Sequence, residues 1–285
     1  QTPVAGTNDN TGPSHVARST NFGETWTTVS QTAISGNAWG VAIDPNMNRC
    51  VGKSPCPPPT MYRPAGYGNF GVHKSIDGGV TWTNLFAGIS NGAFPKRGGG
   101  TFTVPLQYWF DIYQIHVLPD DPPNHILVTY HHQANGNYLL ESLDGGVTWD
   151  LHQLPGGQSH YAFAFSPTTW VVFSQQGSGG TYRTTTAGRT NGAIAAGAWT
   201  VVENVSTTHA SFTPWVDPAT CDLLVPTDTG GLRRTTNQGA SWSPILTNAN
   251  NLGMVVVSPN HVYTSVIGGD YSARGDLRVP GVSWE

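Results

Sequence analysis

Short apolar runs recur along the whole chain, and prolines, glycines and asparagines interrupt them before any run reaches helical length. Many runs alternate apolar and polar residues with the period of two that a half-buried β-strand requires. Those that end in proline are "AWGVAIDP" 38–45, "IYQIHVLP" 112–119, "HYAFAFSP" 160–167, "SFTPWVDP" 211–218 and "GMVVVSP" 253–259. A second β-branched run follows, as in "HILVTYHH" 125–132 and "TWVVFSQQ" 169–176. The pattern predicts an all-β protein.

A turn phrase that ends in tryptophan returns after these strands. "SIDGGVTW" at 75–82 reappears almost unchanged as "SLDGGVTW" at 142–149. Weaker copies are "STNFGETW" 19–26 and "TTNQGASW" 235–242, a damaged copy runs over 184–199, and "GVSW" 281–284 is a remnant. The closing tryptophans stand roughly 40–70 residues apart, which brackets the spacing of β-propeller blades. We therefore predict repeated units of four strands, with the phrase between the third and the fourth.

The repeat predicts the architecture of the whole chain. We expect a single domain over 1–285, a β-propeller of four-stranded antiparallel blades. Six blades fit 285 residues best, with five or seven as the alternatives. The N-terminal unit has chain for only three strands, in "PVAGTND", "SHVARST" and "ETWTTV".

The phrase S-x-D-G-G-x-T-W resembles the Asp-box, or BNR repeat, of sialidases, xyloglucan-active glycosidases and photosystem assembly factors. In that family the box is the turn between the third and fourth strands of a blade, away from the active centre. The chemistry of the residues agrees with a structural role. Asp77 and Asp144 can accept hydrogen bonds from turn amides, the paired glycines permit positive φ, and Trp82 and Trp149 can pack between sheets. Copies with asparagine in place of aspartate keep this turn chemistry without a carboxylate.

Composition narrows the class of partner and the compartment. Charged residues make up only 11% of the chain and the net charge is −4, so no basic surface is predicted for nucleic acid or for an anionic membrane. No apolar stretch approaches the roughly 18 residues of a membrane-spanning helix. We expect a secreted, extracellular monomer. Since the chain opens at Gln1 without a charged-then-apolar leader, we expect any signal peptide to have been removed or left out.

Two of the three cysteines lie close together. Cys50 and Cys56 flank "VGKSP" in a proline-rich loop, and Cys221 is left over. Without a nearby histidine the pair is a poor zinc pattern. The spacing favours a local disulfide between Cys50 and Cys56, as expected in a secreted protein.

Candidate site residues collect on one face of the predicted ring. The starts of first strands and the loops between second and third strands share that face, opposite the boxes, and the long glycine-rich loop 86–110 is placed there too. The predicted catalytic residues are Asp111, His131, His132, His160 and His209. The predicted substrate-binding residues are Trp39, Arg97, Tyr108, Trp109, Tyr161, Gln175, Asp228 and Asp270. The structural alternative is that the aromatic rings fill the mouth of the ring and the histidines bond to neighbouring blades.

Aromatic rings among carboxylate, amide and imidazole groups suit a polysaccharide or oligosaccharide. A glycoside hydrolase could use Asp111 with Asp228 or Asp270 as general acid and base. A polysaccharide lyase could use one of the histidines as base, Tyr108 or Tyr161 as acid, and Arg97 against a uronate carboxylate. The same histidines with Asp111 could instead hold a divalent cation. A sialidase is disfavoured, because none of the four glutamates lies at this face.

The non-catalytic alternatives are a lectin-like propeller and an assembly scaffold. A lectin should repeat its sugar-binding residues from blade to blade, whereas the starts of the first strands differ, with "NAW" at 37–39, "DIY" at 111–113 and "SHY" at 159–161. A scaffold should show a charged or apolar outer patch. The sequence therefore favours one asymmetric site, and we predict a carbohydrate-active enzyme, either a glycosidase or a polysaccharide lyase.

Overall fold

The structure is a computed structural model. It describes residues 4–6, 13–19, 21, 23–31, 34–35, 40–46, 52, 54–65, 71–89, 92–104, 111–119, 124–131, 137–175, 180–187, 198–204, 214–217, 220–227, 231–247, 251–258, 261–266 and 272–276. For some strand residues, among them Asp111, His131, Gln158 and Gln175, it describes the backbone alone.

The chain divides into two compact units, residues 1–153 with 190–193, and residues 154–189 with 194–285. The strands of the first unit are β1 Val4–Gly6, β2 Pro13–Ser14, β3 Val16–Arg18, β4 Thr27–Thr28, β5 Ile34–Ser35, β6 Ala42–Ile43, β7 Met61–Ala65, β8 Gly71–Ser75, β9 Thr83–Asn84, β10 Ala93–Pro95, β11 Thr101–Thr103, β12 Asp111–Val117, β13 Ile126–His131, β14 Tyr138–Ser142 and β15 Asp150–Gln153.

The strands of the second unit are β16 Gln158–Ala164, β17 Trp170–Gln175, β18 Thr181–Thr184, β19 Thr200–Glu203, β20 Trp215–Val216, β21 Leu223–Pro226, β22 Leu232–Thr235, β23 Ser243–Leu246, β24 Asn251–Ser258, β25 His261–Val266 and β26 Ser272–Asp276. The prediction of an all-β chain is confirmed. The described part of the chain contains no helix with the length and apolarity that a membrane crossing needs. The single domain over 1–285 stays a prediction.

Among the described residues, four sheets have four antiparallel strands in sequence order, β6–β9, β12–β15, β16–β19 and β20–β23. The first sheet, β1-β3-β4, has the three strands that the N-terminal sequence predicts, and β24–β26 form another three-stranded sheet. Two short ribbons, β2-β5 and β10-β11, complete the described pairing. Simple up-and-down order follows from the short loops, because neighbouring antiparallel strands need only a tight connection.

Apolar side chains from neighbouring sheets pack together to form the core within each unit. In the first unit Tyr62 and Val72 of one sheet pack in a single cluster with Ile115 and Val128 of the next. In the second unit Tyr161, Phe173 and Leu223 belong to another cluster. Ile126 and Val128 of β13 contribute alternate residues to this cluster, as the period of two requires, and Leu127 between them is buried on the other face of the sheet.

The repeated phrases form one recurring turn, here called the repeat turn, at 19–26, 75–82, 142–149 and 235–242. In each, the hydroxyl of the first residue accepts a bond from the amide of the fifth, a glycine, at 2.7–2.9 Å. That glycine has positive φ throughout. A Cβ on Gly146 would lie 2.3 Å from the Leu85 side chain. The backbone of every repeat turn therefore favours glycine at this position, and in the turn 142–149 the packing requires it as well.

The third residue of the repeat turn holds the loop together. Asp144 Oδ1 accepts bonds from the amides of Val147 and Thr148 at 3.0 and 2.9 Å, and its Oδ2 accepts from the Thr148 hydroxyl at 2.5 Å. Burial alone would raise the pKa of this carboxyl. The bonds from Thr148, Ser142 and Val147 outweigh that effect, and the pKa is lowered. Asp77 makes the corresponding bonds in its own turn.

Asparagine replaces aspartate in two repeat turns. The direction of one hydrogen bond is then reversed, because the side chain donates to the hydroxyl instead of accepting from it. Asn21 Oδ1 accepts from the Thr25 amide at 2.9 Å, while its Nδ2 donates to the Thr25 hydroxyl at 2.9 Å. Asn237 does the same with Ser241, at 2.9 and 2.8 Å. A hydroxyl can donate or accept, so the loop geometry is kept with either residue.

Replacing Asp144 with Ala should lower the free energy of unfolding by about 1–2 kcal/mol, because several turn amides lose their acceptor. Asp144→Asn is the matched control, since Asn21 and Asn237 show that an amide supports the same turn. Calorimetry should find a melting temperature roughly 2–8 °C lower for the alanine variant and a smaller change for the asparagine variant. Equal losses in the two variants would contradict the interchange of aspartate and asparagine.

The closing tryptophan precedes the fourth strand of each four-stranded sheet, as predicted, and Trp26 precedes the third strand of the first sheet. The environment of these tryptophans varies. Trp26 and Trp82 donate their indole N–H to a carbonyl of their own turn, Gly23 and Gly79, at 3.0 and 2.9 Å. Trp149 is fully buried and packs edge-on against Phe86 and Phe94.

Only part of the cysteine prediction falls on described residues. Cys221 is an exposed free thiol. Cys50 lies outside the described residues, so its disulfide with Cys56 stays a prediction. The proline-rich loop after Cys56 lies beside the repeat turn 75–82, because the Gly78 amide donates to the Pro59 carbonyl at 3.3 Å.

Candidate functional site

Asp111 and His131 are paired across strands at one end of the sheet β12–β15. Asp111 opens β12 and lies directly opposite His131, the last residue of β13. The other end of β13 pairs Ile126 with Ser142, where the repeat turn begins. Five residue steps of about 3.4 Å separate the two ends, or about 17 Å. We call the end with Asp111 the strand-start end.

The sheet β16–β19 in the second unit has the same arrangement. Gln158 lies opposite Gln175, and Ser159 lies opposite Ser174, again at the strand-start end. Gln158 was not among the predicted residues, because the predicted start of this strand was "SHY" at 159–161. The signal available in the sequence was that a polar residue stands just before an alternating run.

Among the described residues, three sheets have a β-bulge in their first strand, just after the strand-start end. The extra residue is Tyr113 in β12, His160 in β16 and Leu252 in β24. A bulge adds one residue to one strand and re-aims the side chains around it, and bulges are common beside active sites.

His160 and Tyr161 are buried in the second unit. His160 is 1% exposed and Tyr161 is 3% exposed. The Tyr161 ring packs edge-on against Phe173 with centroids 6.3 Å apart, and burial raises the pKa of its hydroxyl well above the ordinary value. These contacts place the Tyr161 ring in the hydrophobic core of the second unit. The predicted roles of His160 and Tyr161 in the site stay predictions.

Arg97 is placed beside a repeat turn. Its Nε and Nη2 lie 2.5 Å from Oδ2 of Asp150, the residue that directly follows the repeat turn 142–149. Its amide donates to the Trp149 carbonyl at 3.2 Å. This part of loop 86–110 is therefore not at the strand-start end, where the loop was predicted. The reason is that residues 93–103 form a hairpin, β10-β11, that docks on the turn.

Seven predicted residues lie outside the described residues, and their roles stay predictions: Trp39, Tyr108, Trp109, His132, His209, Asp228 and Asp270. Among the described residues, no group of three or more His, Cys, Asp or Glu side chains is arranged to hold a metal ion. The divalent cation also stays a prediction.

A buried carboxylate network, which the sequence interpretation missed, lies in the same sheet. Glu141 Oε1 accepts from His125 Nε2 at 2.7 Å and Oε2 accepts from His152 Nε2 at 2.8 Å, with all three side chains at most 3% exposed. Burial alone would raise the pKa of Glu141. The two histidine bonds outweigh that effect, and the pKa is lowered. The sequence signal was a glutamate within an apolar strand. This network stabilises the sheet and is remote from the strand-start end.

Comparisons with known structures identify relatives of this fold. The crystal structure of the GH74 xyloglucanase from Xanthomonas campestris matches 97% of this chain with a TM-score of 0.59 at 17% identity, and the match covers 43% of that enzyme. The GH74 enzyme of Niastella koreensis matches 96% of this chain with a TM-score of 0.58 at 20% identity, over 42% of its own length. This fold is shared with xyloglucanases.

The similarity to xyloglucanases extends to sequence over part of the chain. Xyloglucanase Xgh74A of Acetivibrio thermocellus is 32% identical over 147 residues, which cover 47% of this chain and 15% of that enzyme. The chain thus spans less than half the length of the xyloglucanases it matches. No family model matches the chain. A structure titled "YCF48 bound to D1 peptide" has a TM-score of 0.51 at 13% identity, over 86% of this chain and 66% of its own.

Proposed function

We propose that this chain is a secreted glycoside hydrolase that acts on a polysaccharide of the xyloglucan class. We also propose that its sheets are the six blades of a β-propeller and that the repeat turns are Asp-boxes. The successive four-stranded sheets and the xyloglucanase neighbours support this proposal.

The observation that carries the proposal is the cross-strand pair of Asp111 and His131. It lies at the end of the sheet remote from the repeat turn, where first strands begin and second strands end. In this proposal Asp111 acts either as the general acid, which donates a proton to the leaving glycosidic oxygen, or as the general base, which accepts a proton from the attacking water. Hydrolysis with paired carboxylates needs a second carboxylate. Asp228 and Asp270 stay predictions for that role.

Purified protein incubated with a panel of polysaccharides tests the reaction class. We expect new reducing ends from xyloglucan, fewer from unsubstituted glucans, and no ultraviolet absorbance from an unsaturated uronate with any uronate-containing glycan. A hydrolase adds water across the bond, whereas a lyase leaves a double bond in the product. An unsaturated product from a uronate glycan would contradict the proposed hydrolase and favour a polysaccharide lyase.

A second candidate function, an assembly scaffold, is favoured by a different feature. Three apolar side chains on successive repeat turns of the first unit are exposed: Trp26 by 46%, Ile76 by 70% and Val147 by 68%. Exposed apolar groups on neighbouring turns suit a protein-binding surface. Absence of polysaccharide cleavage or binding across the panel would favour this function over the hydrolase.

A further inference from the structure

The hairpin β10-β11 is anchored on the repeat turn 142–149. Lys96 forms a parallel bridge with Trp149, and the Trp149 amide donates to the Pro95 carbonyl at 2.9 Å. Phe94, which is fully buried, meets the Trp149 ring edge-on at 6.1 Å and stacks on Phe102 at 5.5 Å. A two-stranded hairpin is marginal by itself. Its position therefore depends on these contacts.

The ion pair of Arg97 with Asp150 makes the docking of the hairpin depend on charge as well as on packing. The Asp150 side chain is 2% exposed, and its second oxygen, Oδ1, is buried without a hydrogen-bond partner among the described residues. Asp150 also lies directly opposite Glu141 in the register of β14 and β15. Directly opposed like charges destabilise a sheet, and a buried carboxylate that loses its cation is costly. The Arg97 guanidinium, brought by the hairpin, therefore balances a buried negative charge.

The hairpin is connected to the start of β12 through the core. Val104, just after β11, is buried and its amide donates to the Gly92 carbonyl at 2.9 Å. Val104, Phe94 and Ile112 belong to one hydrophobic cluster. Ile112 directly follows Asp111. Close-packed side chains transmit displacement because interiors contain few voids.

We propose that Arg97 is a positioning residue for the candidate catalytic Asp111. The Arg97–Asp150 pair docks the hairpin, the docked hairpin fixes Phe94 and Val104, and these hold Ile112 and the start of β12. The inference rests on the proposed glycosidase function. In this inference Arg97 holds the site in place. The sequence had instead suggested that Arg97 contacts the substrate.

Hydrogen exchange tests the docking without any substrate. In Arg97→Met the amides of Trp149 and Val104, which bond to the hairpin carbonyls of Pro95 and Gly92, should exchange at least about 10-fold faster than in the wild type. Arg97→Lys keeps the charge but not the two-nitrogen contact. Its amide exchange rates should lie between those of the wild type and those of Arg97→Met. Wild-type exchange rates in Arg97→Met would overturn the docking role and with it the proposal.

Steady-state kinetics on the polysaccharide tests the positioning. Arg97→Met should lower kcat about 10-fold with KM within about twofold, because misplacement of a catalytic group by a fraction of an ångström affects turnover more than binding. The matched control is Arg183→Met, which removes the Arg183 bond to the Gln238 carbonyl at 2.9 Å in the second unit and should leave kcat unchanged.

The failures are distinguishable. An active wild type with faster hairpin exchange but unchanged kcat in Arg97→Met overturns the positioning role and leaves the glycosidase proposal intact. An increase in KM alone would mean that Arg97 contacts the substrate, which also overturns this inference. A wild type without any glycosidase activity overturns the proposed function and this inference together.

Discussion

Replacing Asp111 with Asn is expected to lower kcat on the polysaccharide by about 10²–10⁴-fold, the usual contribution of a general acid or base. Asparagine has nearly the same shape as aspartate but cannot exchange a proton at neutral pH. The strand pairing at this position is made by the backbone, so the melting temperature should stay close to that of the wild type. Reducing-end assays under single-turnover and steady-state conditions measure the change.

Asp144→Asn is the control for this experiment, because it makes the same chemical change at the opposite end of the same sheet. It should leave kcat at the wild-type value. If Asp111→Asn keeps more than about a tenth of the wild-type kcat, Asp111 is not the proton-transfer group and the proposed site is wrong. Loss of activity in both variants would instead point to a general effect on the sheet.

Replacing Glu141 with Gln is expected to lower the free energy of unfolding by about 3 kcal/mol, the largest stability effect predicted for this chain. The buried carboxylate accepts bonds from both His125 and His152, and bonds to a charged group are worth more than neutral ones. Glutamine supplies one acceptor oxygen and turns an N–H₂ group towards the other imidazole. Calorimetry should show a melting temperature roughly 6–12 °C lower.

The difference between Glu141→Gln and the wild type should depend on pH. Because the folded pKa of Glu141 is lowered, its contribution is present above the unfolded pKa of about 4.3 and is lost as pH falls through the folded value. The two melting temperatures should therefore converge in acid. Glu24→Gln, at an exposed position of the repeat turn 19–26, is the matched control and should change little. A pH-independent difference would show that the carboxylate charge is not what stabilises the sheet.

Much of the fold could be predicted because its signals are local. The repeat turn depends on residues within eight positions of one another, such as Ser142, Asp144 and Gly146, so the phrase specifies its own hydrogen bonds. The position of Trp149 before a fourth strand follows from the same phrase. The three strands of the first sheet could also be placed, because alternation and glycine breaks bound them.

The candidate site was harder to predict because it depends on register and on contacts distant in sequence. The bulge at His160 adds a residue to β16, and one added residue reverses the face on which following side chains lie. Alternation alone therefore could not show that Tyr161 packs in the core. Arg97 lies in a glycine-rich stretch that was predicted as a long loop at the candidate site, whereas Phe94 and Phe102 flanking those glycines pair in a hairpin. Its partner Asp150 is 53 residues away along the chain, and no local pattern identifies that pair.

The interchange of aspartate and asparagine has a consequence for the stability of the repeat turns in acid. Asn21 and Asn237 do not titrate, whereas Asp77 and Asp144 have lowered pKa values and lose their stabilising bonds only when protonated. Acidification should thus loosen the turns of β6–β9 and β12–β15 before those of β1-β3-β4 and β20–β23, an order that hydrogen exchange at low pH would reveal. A single substitution of aspartate by asparagine at the third turn position would then be enough to make that one repeat turn indifferent to acid while its loop keeps the same shape.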